Sequence, residues 1–320
     1  MTEHNLEDEL NESEKWLVDG LNKITRPTTI PEWITEDYTI KSGVYDIFHN
    51  VYVQNSTLTI EKGVTLNFGI GNWIVIGTQS FTDSRIVTEG TRAEPVILQA
   101  KITIWGGIEL KYTMSDNIFK YTTIRNGKKN CGGGINAHNS QITLEDCLIE
   151  KCEGKDFGGG LNFFNAVGKI ENTTIIGNRV KVYGGGLCSN NSSIQINNGI
   201  IKDNKSDEHG GGVDVRSGSS IVMKNTTIKN NNSEMFGGGI CIENAYVDLV
   251  RATIMNNRAK YGGGIFHWEN CSLRLENSII KDNYAEITGG GIDNRPSSKI
   301  TKYGINSIFN NKPENIYETK

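Results

Sequence analysis

Seven runs of three glycines begin at residues 132, 158, 184, 210, 237, 262 and 289. The steps between them are 26, 26, 26, 27, 25 and 27 residues, and a degenerate copy, Trp105-Gly106-Gly107-Ile108, precedes the first by another 26. A spacing held that closely requires stacked copies of one small structural unit.

The inner grammar of the unit is constant. An aliphatic residue follows each triplet: Ile135, Leu161, Leu187, Val213, Ile240, Ile265 and Ile292. Apolar residues at alternate positions come next (Ile142/Leu144, Ile194/Ile196, Ile221/Met223, Val247/Leu249, Leu273/Leu275), then an Ile-x-x-Asn ending at Asn178, Asn204, Asn231, Asn257, Asn283 and Asn311. Period two is the strand signal, and no helical period fits inside a unit. Each unit is therefore expected to hold three short strands and three turns, one coil of a parallel β-helix. Its Asn column should bond from rung to rung and take the left-handed turn conformation. Cys152 stands in the Asn slot of one rung and Gly127 in that of the rung before, where a buried thiol filling the turn is expected.

The predicted fold is all-β: a right-handed parallel β-helix of about ten or eleven rungs over 38–320, most regular from 105 to 311. Residues 1–37 form a cap segment. Within it Leu6, Leu10, Leu17, Leu21 and Ile24 make one apolar stripe on an expected α-helix over 5–24 that covers the open end of the solenoid.

Composition narrows the partners. Glycine is 37 of 320 residues and proline only 5, which excludes collagen and proline-rich disorder. A net charge of −4 offers no basic excess for nucleic acid. No apolar run is long enough to span a membrane, and the acidic start lacks the pattern of a secretory leader, so a cytoplasmic location is expected. The six cysteines form no CxxC pair and are expected as free thiols. No P-loop, dinucleotide fingerprint, nucleophile elbow or HExxH motif is present, so no cofactor is expected. An acidic turn at Asp203, Asp207 and Glu208 is the one place a calcium ion is considered, without ligand spacing behind it.

The Ile-x-x-Asn followed by Gly-Gly-Gly-Ile resembles the repeats of polymorphic outer membrane proteins and adhesin-like proteins. More broadly, the chain is similar to the right-handed parallel β-helix superfamily, which includes pectate lyases, alginate lyases and uronan C5-epimerases. The resemblance covers about residues 40–311 and implies the fold. It carries over no catalytic residue, because no lyase or epimerase motif matches position by position.

Outward stripes carry the candidate chemistry. The residues before the triplets are Cys131, Phe157, Tyr183, His209, Phe236, Tyr261 and Thr288. Two positions after the triplets stand Asn136, Asn162, Cys188, Asp214, Cys241, Phe266 and Asp293, and four after stand His138, Phe164, Asn190, Arg216, Glu243, Trp268 and Arg295. If the first residue after the triplet points inward, these two stripes point outward. Stacked glycines would then floor a groove walled by aromatics, suited to an extended polysaccharide or peptide. Asp214, flanked by Cys188 and Cys241, with His209, Arg216 and Glu243 beside it, is the expected catalytic set of an epimerase or lyase that abstracts a proton next to a carbonyl. Tyr183, Phe236, Tyr261, Asn190 and Trp268 are the expected substrate-binding residues. His267, at an inward position, is expected to be a core imidazole. The alternative is a non-catalytic, adhesin-like module gripping glycan or protein on the aromatic row.

Overall fold

A computed structural model describes residues 29–113 and 115–318. The helix expected over 5–24 lies outside the described residues, which contain no helix, and therefore none able to cross a membrane.

The described chain coils into a parallel β-helix with sheets of 12, 11, 11 and 7 strands. The first sheet holds the strands that leave the triplets, such as Leu187–Asn190, Val213–Arg216 and Ile240–Glu243. The second holds Ser193–Asn197, Ser220–Lys224 and their equivalents, and the third holds Ile200–Lys202 and Thr227–Lys229. Within these three sheets the pairing is parallel and in register from one repeat to the next. Among the described residues the first paired strand is Trp33–Ile34.

The fourth sheet is a correction to the expected three strands per unit. Residues between the ladder asparagine and the triplet run extended and pair as well, from Lys128–Cys131 to Tyr284–Thr288. Their polar, weakly alternating sequence carries no period-two signal, which is why they read as turns.

The inward columns are as the repeat requires. All seven aliphatics after the triplets are at most 1% exposed, and Ile175, Ile201, Ile228, Ile254 and Ile280 form a second buried column. Burial of each such side chain contributes about 1.5–3 kcal/mol.

The asparagine ladder runs Asn178, Asn204, Asn231, Asn257, Asn283, Asn311. From Asn178 to Asn283 each Nδ2 donates to the Oδ1 of the next rung's asparagine at 2.9–3.1 Å. Each also donates to an isoleucine carbonyl, such as Ile201 O at 3.0 Å. The left-handed residue is not the ladder asparagine, as expected, but the one before it: Gly177, Asp203, Asn230, Asn256, Asp282 and Asn310 all have positive φ. A residue turned inward to bond its neighbours above and below keeps ordinary backbone, and the reversal is made one step earlier. Cys152 fills its slot as a buried thiol whose amide donates to Asn178 Oδ1 at 2.9 Å.

The triplets are corner-packing devices. Gly237 has φ +64°; a Cβ on Gly238 would stand 2.4 Å from the carbonyl oxygens of Arg258 and Gly263, and one on Gly239 would stand 2.5 Å from Gly264 O. The triplet glycines are buried, so they do not floor an open groove.

Candidate functional site

Alternation along the first sheet sends the second and fourth residues after each triplet away from the core. The column at the second position runs, strand by strand, Glu109, Asn136, Asn162, Cys188, Asp214, Cys241, Phe266, Asp293. Cys188, Asp214 and Cys241 are therefore neighbours, as the spacing predicts. Their exposure is a correction: each is 0% accessible.

The cover is built from the very residues expected to line a groove. Arg216 folds back so that Nε stands 2.7 Å from Asp214 Oδ1, its guanidinium packs 3.5 Å from the centroid of the Tyr183 ring, and it also pairs with Glu243. The rings of Phe157, Tyr183, His209, Phe236 and Tyr261 stack in one continuous row, with centroids 5.0–5.4 Å apart. Trp268 leans over Phe236, Phe266 and His209 at 5.1, 4.9 and 6.4 Å. Tyr183, Phe236, Tyr261 and Trp268 thus serve first as a lid.

Under this lid burial dominates the electrostatics. It pushes Asp214 up to about 6 against the pull of Arg216, with a minor favourable contribution from the Cys241 thiol. It pushes His209 down to about 4, helped by the Arg216 charge. Burial, with Asp214 beside them, raises the thiols of Cys188 and Cys241 well above the ordinary value. Asp214 Oδ2 has no hydrogen-bond partner among the described residues. His209, Asp214 and Cys241 each offer a donor atom within 4.8 Å of the others, the only such group of metal-ligand type among the described residues. The acidic turn considered for calcium is occupied differently: Asp207 pairs with Arg179 at 3.1 Å, and Asp203 accepts from Asn230 Nδ2 at 3.2 Å.

Asp293 and Arg295, further along the same two stripes, repeat the arrangement. Asp293 is 0% exposed, Arg295 Nε stands 2.9 Å from its Oδ1, and the guanidinium faces the Phe266 ring at 5.1 Å. His267 is a core imidazole with one ring nitrogen, Nδ1, 2.7 Å from Asn294 Oδ1.

The open part of this face lies at lower rungs. A pocket of about 460 Å³ is lined by Trp73, Glu109, Lys128, Lys129, Cys131 and Asn136 among others. An adjoining one of about 180 Å³ is lined by Cys131, Asn136, His138, Phe157, Asn162, Phe164 and Asn190. Gly106 of the degenerate copy borders the first, but no glycine of the seven full triplets lines either. His138 stacks on Phe164 with centroids 5.0 Å apart and rings 3° from parallel. Asn162 Nδ2 donates to Asn136 Oδ1 at 2.7 Å, and Asn136 Nδ2 to Glu109 Oε1 at 3.3 Å.

Glu109 also meets Lys129, and Lys111 at 3.2 Å. Burial opposes its charge, but the two lysines outweigh burial and its pKa is lowered. Burial lowers Lys129 below the ordinary amine value despite Glu109, and its Nζ lies 4.4 Å from the centroid of the Trp73 ring. Sequence reasoning missed Glu109, Lys111, Lys129 and Trp73. For the first two a signal existed, since the degenerate Trp105-Gly106-Gly107-Ile108 places Glu109 and Lys111 in the outward stripes by the spacing used for the full triplets.

Comparison with known proteins finds no match among curated protein sequences. Among solved structures the chain is similar to pectate lyase Pel9A, with 12% identity, a TM-score of 0.45 and coverage of 86% of this chain and 82% of that one. It is likewise similar to the A-module of the Azotobacter vinelandii mannuronan C-5 epimerase AlgE4, with 11% identity, a TM-score of 0.45 and coverage of 89% and 91%. Likeness at that level says nothing of chemistry. The family model for a right handed beta helix region matches residues 86–246, half of the chain, and the protein belongs to that family.

Proposed function

We propose that the protein holds an extended glycan along the outer face of the first sheet, over the rungs from Trp73 to Asn190. The observation that carries this reading is the side-chain make-up of the open trough. A flat His138–Phe164 platform lies beside the amides of Asn136, Asn162 and Asn190. Ring faces suit the apolar faces of sugars, and amides suit their hydroxyls. Rungs repeat at about 4.8 Å, comparable to one sugar residue, so a polymer can meet equivalent groups rung after rung. A peptide gains most from an open strand edge, whereas this face offers side chains in the middle of a sheet. Binding to an array of neutral and acidic glycans, followed by calorimetry, tests the reading. Phe164→Ala with Asn162→Ala should weaken binding about 10-fold or more, the equivalent of about 1.4 kcal/mol. No binding to any glycan, or unchanged binding by the double variant, overturns it.

Lys129 supports a second reading, an epimerase or lyase acting on a uronate polymer. A buried amine with a lowered pKa gives up its proton more readily and can take one from the carbon next to a carboxyl group. Lys111 and Lys128 nearby would hold the substrate carboxylates. In this reading the chemistry belongs to the open pocket, not to the lidded Cys188, Asp214, Cys241, His209, Arg216 and Glu243. Incubation with polyuronates in deuterated water separates the two. Deuterium incorporation or unsaturated ends, lost in Lys129→Met while binding persists, establishes catalysis; their absence from the wild type leaves binding alone.

A further inference from the structure

We propose that His209, Asp214 and Cys241 form a binding site for a zinc-type divalent cation beneath the Trp268–Phe236 lid. The three residues come from adjacent rungs: Asp214 pairs with Cys241 across the first sheet, and His209 precedes the triplet that leads into Asp214. Their donor atoms lie within 4.8 Å of one another, and Cys241 Sγ stands 3.9 Å from His209 Nδ1. In a tetrahedral zinc site with ordinary Zn–S and Zn–N bonds, sulfur and nitrogen are about 3.6 Å apart. The observed pair needs a contraction of only a few tenths of an ångström.

The second observation is Asp214 Oδ2. It is fully buried with no hydrogen-bond partner among the described residues, while Oδ1 is engaged by Arg216. A buried carboxylate oxygen without a donor is costly, and a cation satisfies it. Charge agrees. Asp214, Glu243 and a Cys241 thiolate bring three negative charges against the single positive charge of Arg216, and a divalent cation balances the remaining two. On binding, the thiol releases its proton to solvent and sulfur takes the metal in its place. One thiolate, one imidazole and one carboxylate select zinc or a similar borderline metal over calcium or magnesium. Three protein donors leave a fourth coordination position open.

The test uses the full chain, stripped with EDTA and dialysed against zinc. Elemental analysis should find one zinc per chain. Cobalt(II) in its place should give a thiolate-to-metal charge-transfer band in the near ultraviolet. Cys241→Ser should abolish the band and weaken zinc binding at least 10-fold, and His209→Gln, which keeps a planar polar group in the ring stack, should weaken zinc binding likewise while any cobalt still bound keeps the band. Cys271→Ser, outside the cluster, should change neither. Zinc should raise the melting temperature of the wild type and of Cys271→Ser only, a readout that also shows each variant is folded. Absence of stoichiometric zinc from the wild type, or equal retention by Cys241→Ser, overturns the proposal.

Discussion

Arg216 bonds the carboxylate two residues before it: its Nε donates to Asp214 Oδ1 at 2.7 Å, inside a cover that leaves Asp214 0% and Arg216 9% exposed. Removing one partner of a buried pair strands the other, which typically costs 3–5 kcal/mol. Arg216→Met is expected to cost about 3 kcal/mol or more, and Asp214→Asn in the same chain to recover much of it. The readout is the midpoint of urea unfolding, since a solenoid need not unfold in one step. Equal midpoints for the single and double variants would mean that the pair is not what holds the lid down.

Cys152 interrupts the asparagine ladder and marks a place to strengthen it. Its sulfur lies 3.2 Å from where a Cβ on Gly134 would be, and ladder asparagines make the equivalent approach at 3.0 Å to Gly160 and Gly186, so an amide fits the slot. Cys152→Asn adds donors to Asn178 Oδ1 and Ile124 O and an acceptor for the preceding rung. At about 1 kcal/mol net per bond, three bonds add about 3 kcal/mol, and the melting temperature should rise by about 6–12 °C. A fall would show that the slot cannot take the amide.

What could be read from the sequence follows from what repeats. The aliphatic columns and Asn178 to Asn311 recur because stacking demands chemical identity between rungs, and identity at fixed spacing is visible without coordinates. The neighbourhood of Cys188, Asp214 and Cys241 was legible for the same reason, as register follows from the period. Their burial was not. It depends on Arg216 folding back to Tyr183 and on Trp268 lying across Phe236, side-chain choices that period two does not encode. The open pocket escaped because Lys129 sits in the fourth sheet, whose strands lack alternation, and Trp73 sits before the first regular repeat.

Glu109 gives the acid limb of stability a definite sign. Its folded pKa lies below the ordinary carboxylate value of 4.5, because Lys129 and Lys111 outweigh the opposing effect of burial. A depressed carboxyl pKa adds stability that is fully present above the unfolded pKa and is lost as pH falls through the folded one. Wild type and Glu109→Gln should therefore differ most above about pH 4.5 and converge below it. Melting curves from pH 7 to pH 3 measure this, and a gap that persists to the lowest pH would trace the loss to packing instead of charge.

Thiol chemistry reports on the lid. Of the six cysteines only Cys131 is partly exposed, and the other five are buried. In EDTA, so that no metal protects a ligand, the native protein should show one alkylated thiol, at Cys131, slowed because partial burial raises its pKa, and five that react only on unfolding. Trp268→Ala removes the indole that covers Phe236, Phe266 and His209. Beneath them lies Cys241, 3.9 Å from His209 Nδ1. The variant should expose a second reactive thiol, which peptide mapping should place at Cys241, while Cys147 and Cys152, buried at turns away from the indole, stay protected. Their pKa values, pushed by burial up to about 12, add to that protection. Simultaneous labelling of all five would mean that the indole holds the whole coil together, and no new labelling would mean that Arg216 and Tyr183 close the site without it.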